Sequence, residues 1–200
     1  MPGEPMTRRG RASRERIVQR AAELFAERGI AAVSVDEVLG AAGAGKGQFY
    51  HYFRGRDELA AAAVGFRCRQ VVAGLAEALG EVSSLAGLAE ALAGFMAGFE
   101  ETGMPGCPIG TLSTEVAGRN EEARVQAAAG FGAWEKLLAD ALERMRQRGE
   151  LRADAEPAVL ATGLLASIEG GMVLSQARRD MASLRIAVEA GLGQVRALLA

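Results

Sequence analysis

Residues 43–53 of this 200-residue chain read Gly-Ala-Gly-Lys-Gly-Gln-Phe-Tyr-His-Tyr-Phe, and no other stretch limits the possible folds so tightly. A short amphipathic segment, residues 34–42, precedes it and stops at Gly43. Phe49 and Phe53 stand four apart, so on a helix they share one face and can anchor it to a core. Lys46 and Gln48 fall near the start of that helix, and Tyr50, His51 and Tyr52 follow. Two short helices joined by a glycine-containing turn make a helix-turn-helix. The second helix of such a unit enters the major groove of DNA by its N-terminal residues.

Charge is distributed as a nucleic-acid partner requires. The formal net charge is only −2, but residues 1–56 carry ten Arg or Lys against six Asp or Glu, a local surplus of +4. The remaining residues carry −6. Phosphate attraction is local, so the basic end counts for more than the total. Half of the residues are apolar, enough for a sizeable core.

The rest of the chain reads as helices. Residues 1–12, with Pro2, Gly3, Pro5, Gly10 and three arginines, predict a disordered basic arm that reaches phosphates or the minor groove, or else a solvated tail. Ser13 is a suitable N-cap for a helix over 14–28, with Ile17, Ala21, Leu24 and Phe25 as its buried stripe. Ser34 and Glu37 form a capping box for the next helix. Further helices are expected over 56–79, 84–101, 109–117, 121–148, 157–179 and 180–199, with a break at 102–108 holding Gly103, Pro105, Gly106 and Pro108. No stretch alternates with period two. The expected fold class is all-α, with about nine helices: an arm over 1–12, a helix-turn-helix domain over 13–55 and a helical ligand-binding and dimerisation domain over 56–200.

Residues 34–43, Ser-Val-Asp-Glu-Val-Leu-Gly-Ala-Ala-Gly, then Lys46 to Phe53, then Arg56-Asp-Glu-Leu59 together resemble the N-terminal signature of TetR-family transcriptional regulators. The resemblance covers residues 13–60. Two cap positions where serine is common are Gly45 and Gly55 here, a change that costs a few tenths of a kcal/mol. Residues 106–115, Gly-Cys-Pro-Ile-Gly-Thr-Leu-Ser-Thr-Glu, resemble a motif in a subgroup related to drug- and flavonoid-responsive repressors.

The resemblance implies that Lys46, Gly47 and Gln48 face base edges. Lys can donate to guanine and Gln can pair with adenine, while Gly47 lets the backbone approach. Ser34, Tyr50, His51 and Arg56 are implied as phosphate-positioning residues; Tyr52 suits either a backbone contact or inward packing. The resemblance also implies a C-terminal pocket and a homodimer. The last two helices are the expected interface, since Gly170, Gly171 and Gly191 permit close approach and their apolar faces exceed what one partner needs. Pocket candidates are Phe66, Phe95, Phe99, Met104, Cys107, Phe131, Trp134 and Met172, with Thr111, Glu115 and Gln176 as polar anchors. Such a lining suits an apolar or aromatic effector.

Other classes fit poorly. His51 is the only histidine, and Cys68 and Cys107 have no metal-ligand spacing, so neither an enzyme, a metal site nor a cofactor is expected. The cysteine count suits a reduced, cytoplasmic protein. Cys107 is either a redox switch or a small buried apolar residue. The longest strongly apolar stretch, 157–168, is too short to span a bilayer, so no membrane partner is expected. The alternative function is a small-molecule or redox sensor that does not bind an operator.

Overall fold

Three local signals set the first elements of the computed structural model, which describes residues 7–103 and 106–200. Thr7 caps α1 (Arg8–Arg28) by accepting from the Gly10 amide at 3.1 Å. Ser34 caps α2 (Val35–Ala42) in a full capping box: its hydroxyl accepts from the Glu37 amide, and the Glu37 carboxylate accepts from the Ser34 amide. Gly43 then turns the chain with φ +58°, a left-handed conformation that glycine adopts without strain, into α3 (Lys46–Tyr52). The remaining helices are α4 (Arg56–Leu79), α5 (Leu85–Glu101), α6 (Pro108–Val116), α7 (Glu121–Gln147), α8 (Pro157–Arg178) and α9 (Ala182–Arg196). Among the described residues there are nine helices, and the β structure is confined to one isolated bridge, Leu151 with Leu199. The all-α expectation holds.

Two expectations near the N-terminus need correction. Residues 8–12 are helical instead of an arm, because Thr7 supplies the cap and arginine is a good helix former. Ser13 is therefore not a cap but a buried residue inside α1. Residues 1–6 of the expected arm lie outside the described residues.

The chain divides into two compact units, and the division does not fall at residue 55. The first comprises residues up to Gln70 together with Thr111–Ala129. Its core is Ile17, Val18, Ala21, Phe25, Val38, Leu39, Phe49 and Phe53, joined by Leu59, Ala60 and Ala63 from α4. Long-range bonds fix the later segment to it: Glu115 accepts from the Ile30 amide, and the Asn120 amide group donates to the Asp57 carbonyl. The helix-turn-helix thus needs the first half of α4 to close its core.

The second unit comprises Val71–Gly110 and Gly130–Ala200. Its core holds Leu88, Leu92, Trp134, Leu138, Leu142, Met145, Leu164, Ile168, Leu184 and Val188. Glycine lets α8 and α9 pack tightly at two places: a Cβ on Gly171 would stand 2.9 Å from Leu184 Cα, and one on Gly191 would stand 2.6 Å from Leu164 Cδ1. α4 and α8 are each long and apolar enough to cross a membrane by length and composition, beyond what residues 157–168 alone suggested. Both bury one face in protein, as core helices do.

Candidate functional site

In α3 alternate faces do different work. Phe49 is 1% exposed, Phe53 is buried just beyond the helix, and their ring centroids lie 5.4 Å apart. The Arg14 guanidinium lies 5.0 Å from the Phe53 ring centroid, a cation–π contact that ties α1 to the end of α3. This fixes the opposite face outward: Lys46, Gly47, Gln48 and His51 are exposed, and Tyr50 is 68% exposed although it is a large aromatic. Tyr52 is half-buried, between the two roles open to it.

Ser34, Asp36, Lys46 and Tyr50 border one depression of about 240 Å³, which brings the N-terminus of α2 beside the start of α3. Helix N-termini present unpaired amides and a positive dipole end to anions. Lys46 pairs with Asp36 at 3.1 Å, both side chains about two-thirds exposed. Such a pair contributes about 0–1 kcal/mol and exchanges readily for a stronger anion. Glu37 is held down to about pKa 2 by the Ser34 amide, the Ser34 hydroxyl and Arg28. A depressed carboxylate stabilises the fold above its unfolded value and loses that contribution as pH falls toward about 2, so the cap of α2 is intact at neutral pH.

Besides Ser34 and Lys46, two more of the expected DNA-facing residues have structural partners. Gln48 Oε1 accepts from the Gly45 amide at 3.1 Å, so it supplies half a capping box where Gly45 has no side chain. Its Nε2 lies 3.5 Å from Ser13 Oγ. Arg56 Nη2 sits 2.5, 3.1 and 3.1 Å from the carbonyl oxygens of Ile30, Ala31 and Val33. It clamps the α1–α2 loop, a role the sequence did not announce, because the acceptors are main-chain atoms more than twenty residues away. Arg16, also missed, donates to the Ala42 carbonyl at 2.9 Å and borders a second depression with Arg9, Gln48 and Tyr52.

The pocket candidates do not converge. A cleft of about 740 Å³ in the second unit is bordered by α4, α5, the loop between them and Trp134 of α7. Of the candidates only Phe95 and Trp134 line it, with ring centroids 5.8 Å apart. Leu75, Val82 and Ala91 complete its apolar wall. Phe66 borders a different cavity, in the first unit. Phe99 and Met172 are buried core, Phe131 is half-buried, and Met104 lies outside the described residues. Thr111 is exposed on α6, and Glu115 is engaged with the Ile30 amide.

Cys107 is buried next to Glu169, and Gln176 lies by Gly106. Burial first, then the charge and hydrogen bond of Glu169, push the Cys107 thiol up to about 12. Burial raises Glu169 as well, and its Oε1 is buried without a hydrogen-bond partner. A redox switch needs an accessible thiolate, which a buried thiol held in its neutral form does not supply. Cys68 is buried too, with its thiol likewise raised by burial. At pH 8, iodoacetamide labelling of Cys107, followed by peptide mass spectrometry, is therefore expected to run far slower in the folded protein than after unfolding in urea. Equal rates would mean that the thiol is ionised and reachable.

Family models match both the N-terminal and the C-terminal part of the chain. The model described as bacterial regulatory proteins, tetR family, matches residues 17–63. The model described as tetracyclin repressor-like, C-terminal domain, matches residues 83–190. An HTH-type transcriptional regulator of Mycobacterium tuberculosis is 34% identical over 182 residues, covering 86% of this chain and 88% of that one. The HTH-type transcriptional regulator YxaF of Bacillus subtilis is 32% identical over 190 residues, covering 92% and 95%. The crystal structure of reduced Escherichia coli NemR superposes with a TM-score of 0.76 at 26% identity, covering 94% of this chain and 97% of that one.

Proposed function

Since the chain belongs to the TetR family of DNA-binding transcriptional regulators, we propose that it acts as a homodimeric repressor, freed from a palindromic operator by a small apolar or aromatic effector. The observation that carries this is the cluster formed by the α2 N-terminus, Lys46 and Tyr50 on the outward side of a helix anchored by Phe49. The capped start of α2 and Tyr50 hold phosphates, Lys46 leaves Asp36 for a base edge, and His51 adds a backbone contact. Gln48 and Arg56 act mainly by shaping α3 and the loop before α2. Gly47 keeps the approach open, since a Cβ there would meet nothing within 4 Å.

Pairing is supported by Val159, Val173 and Leu174 on α8 and Ile186 on α9, large apolar residues left exposed, with Val173 60% and Ile186 70% open. Covering these faces with a second copy makes a four-helix bundle, α8 and α9 from each subunit. Two recognition helices then meet half-sites about 34 Å apart. The cytoplasm, where a bacterial operator lies, is the location this reading requires.

α4 and α6 each contribute residues to both units, α6 passing from Gly110 in the second to Thr111 in the first. An effector that changes either helix therefore alters the packing around α2 and α3. Thousandfold release of the operator requires about 4 kcal/mol of coupling.

Selection of bound duplexes from random DNA should return a palindrome, and fluorescence anisotropy on it should show log affinity falling linearly with log salt. Lys46→Ala is expected to erase about 1–3 kcal/mol of discrimination at one base pair per half-site. A monomeric protein with no preference among sequences at low salt would refute the proposal.

A further inference from the structure

The charge around the 740 Å³ cleft selects among effectors. Three of its lining residues, Glu77, Glu81 and Glu90, are acidic, and none is Lys or Arg. Its apolar wall ends on the aromatic pair Phe95 and Trp134. The Arg144 guanidinium donates to the main-chain carbonyls of two of the lining residues, Leu79 and Val82, at 2.7 and 2.8 Å, so it braces the loop that closes one end and leaves the three glutamates in excess. An anionic effector would meet three like charges, and a neutral one would gain nothing from them. A cation with an apolar body satisfies all parts at once. Its hydrocarbon or rings fill the wall, its charge is drawn by three exposed glutamates whose fields add around the cleft, and aromatic faces favour a cation over them.

We infer that the cleft between α4, α5 and Trp134 takes a lipophilic cation, an amine or onium compound with aromatic or alicyclic bulk. This rests on the effector-responsive function proposed above and narrows its chemistry. It also assigns Glu77, Glu81 and Glu90 a task that their exposed positions alone would not suggest.

Trp134 is the only tryptophan, so its emission reports the cleft floor directly. The probes are tetraphenylphosphonium and tetraphenylborate, close in shape and opposite in charge, titrated into the full-length protein. The phosphonium is expected to quench Trp134 with at least tenfold higher affinity than the borate. The triple variant Glu77→Gln, Glu81→Gln, Glu90→Gln changes only exposed side chains and should keep its helical circular dichroism while losing that preference. Equal or tighter borate binding, or an unchanged preference in the triple variant, would overturn the inference. Operator binding is measured on the same samples. A selected operator bound with no cation preference in the cleft sinks this inference alone. A cation preference without any operator binding sinks the repressor proposal and leaves this one standing.

Discussion

Phe49→Ala is expected to destabilise the DNA-binding unit by about 3–5 kcal/mol and to abolish operator binding at physiological temperature. Phe49 is fully buried in one core with Val38 and Leu39 of α2 and with Phe53, whose ring lies beside it. α3 has only seven residues, too few for a helix to persist without tertiary support. Losing the anchor therefore costs more than a cavity, because the orientation of Lys46 and Tyr50 goes with it. The adjacent change gives the contrast. Tyr50→Ala removes an exposed ring, so its stability cost should stay within about 0.5 kcal/mol. Its operator affinity should nevertheless fall about tenfold, as when a hydrogen bond to a charged group is lost. Urea unfolding followed by circular dichroism, paired with anisotropy below the unfolding midpoint, separates the two. If Phe49→Ala folds and binds normally, α3 is held by something other than its aromatic face.

These neighbours also show what could be read from the sequence. The four-residue spacing of Phe49 and Phe53 stated which way α3 faces, and the Ser34–Glu37 pattern stated where α2 begins; both are local rules operating over one helical turn. The start of α1 is not legible because Ser13 is by type a better cap than Thr7, and only the burial of Ser13 within α1 decides against it. The pocket was mostly illegible. An aromatic at helical spacing looks the same whether it faces a filled core, as Phe99 does, or an open cleft, as Phe95 does. The glutamates that give the cleft its sign read as ordinary solvated positions until α4 and α5 are brought together. Least visible were the clamps, in which a side chain binds main-chain atoms far along the chain, since any residue supplies a carbonyl or an amide.

The strongest of those clamps holds the loop 29–33, and removing it is the second large effect expected. Arg56 reaches three carbonyls of this loop, and Glu115 accepts from the Ile30 amide at 2.6 Å. The Glu115 carboxylate also stands 3.3 Å from where a Cβ on Gly29 would be, and Gly29 has φ +81°, so the end of α1 admits little else. Arg56→Ala should cost about 2–3 kcal/mol, the loss of charge-assisted hydrogen bonds whose acceptors are partly returned to water. Lysine should recover part of it at most, because its strongly hydrated ammonium must be ordered on a flexible stem to place one nitrogen among the three carbonyls that Nη2 reaches. Glu115→Ala orphans the half-buried Ile30 amide and should cost about 1–3 kcal/mol. Both changes release one loop, so the double variant should lose clearly less than the sum of the two. The functional consequence differs from that of a base-contacting residue. With the loop freed, the N-terminus of α2 is no longer fixed relative to α3, so affinity should drop for every operator sequence while the order of preference among them survives. Altered preference in Arg56→Ala, with stability unchanged, would instead place its guanidinium on the DNA.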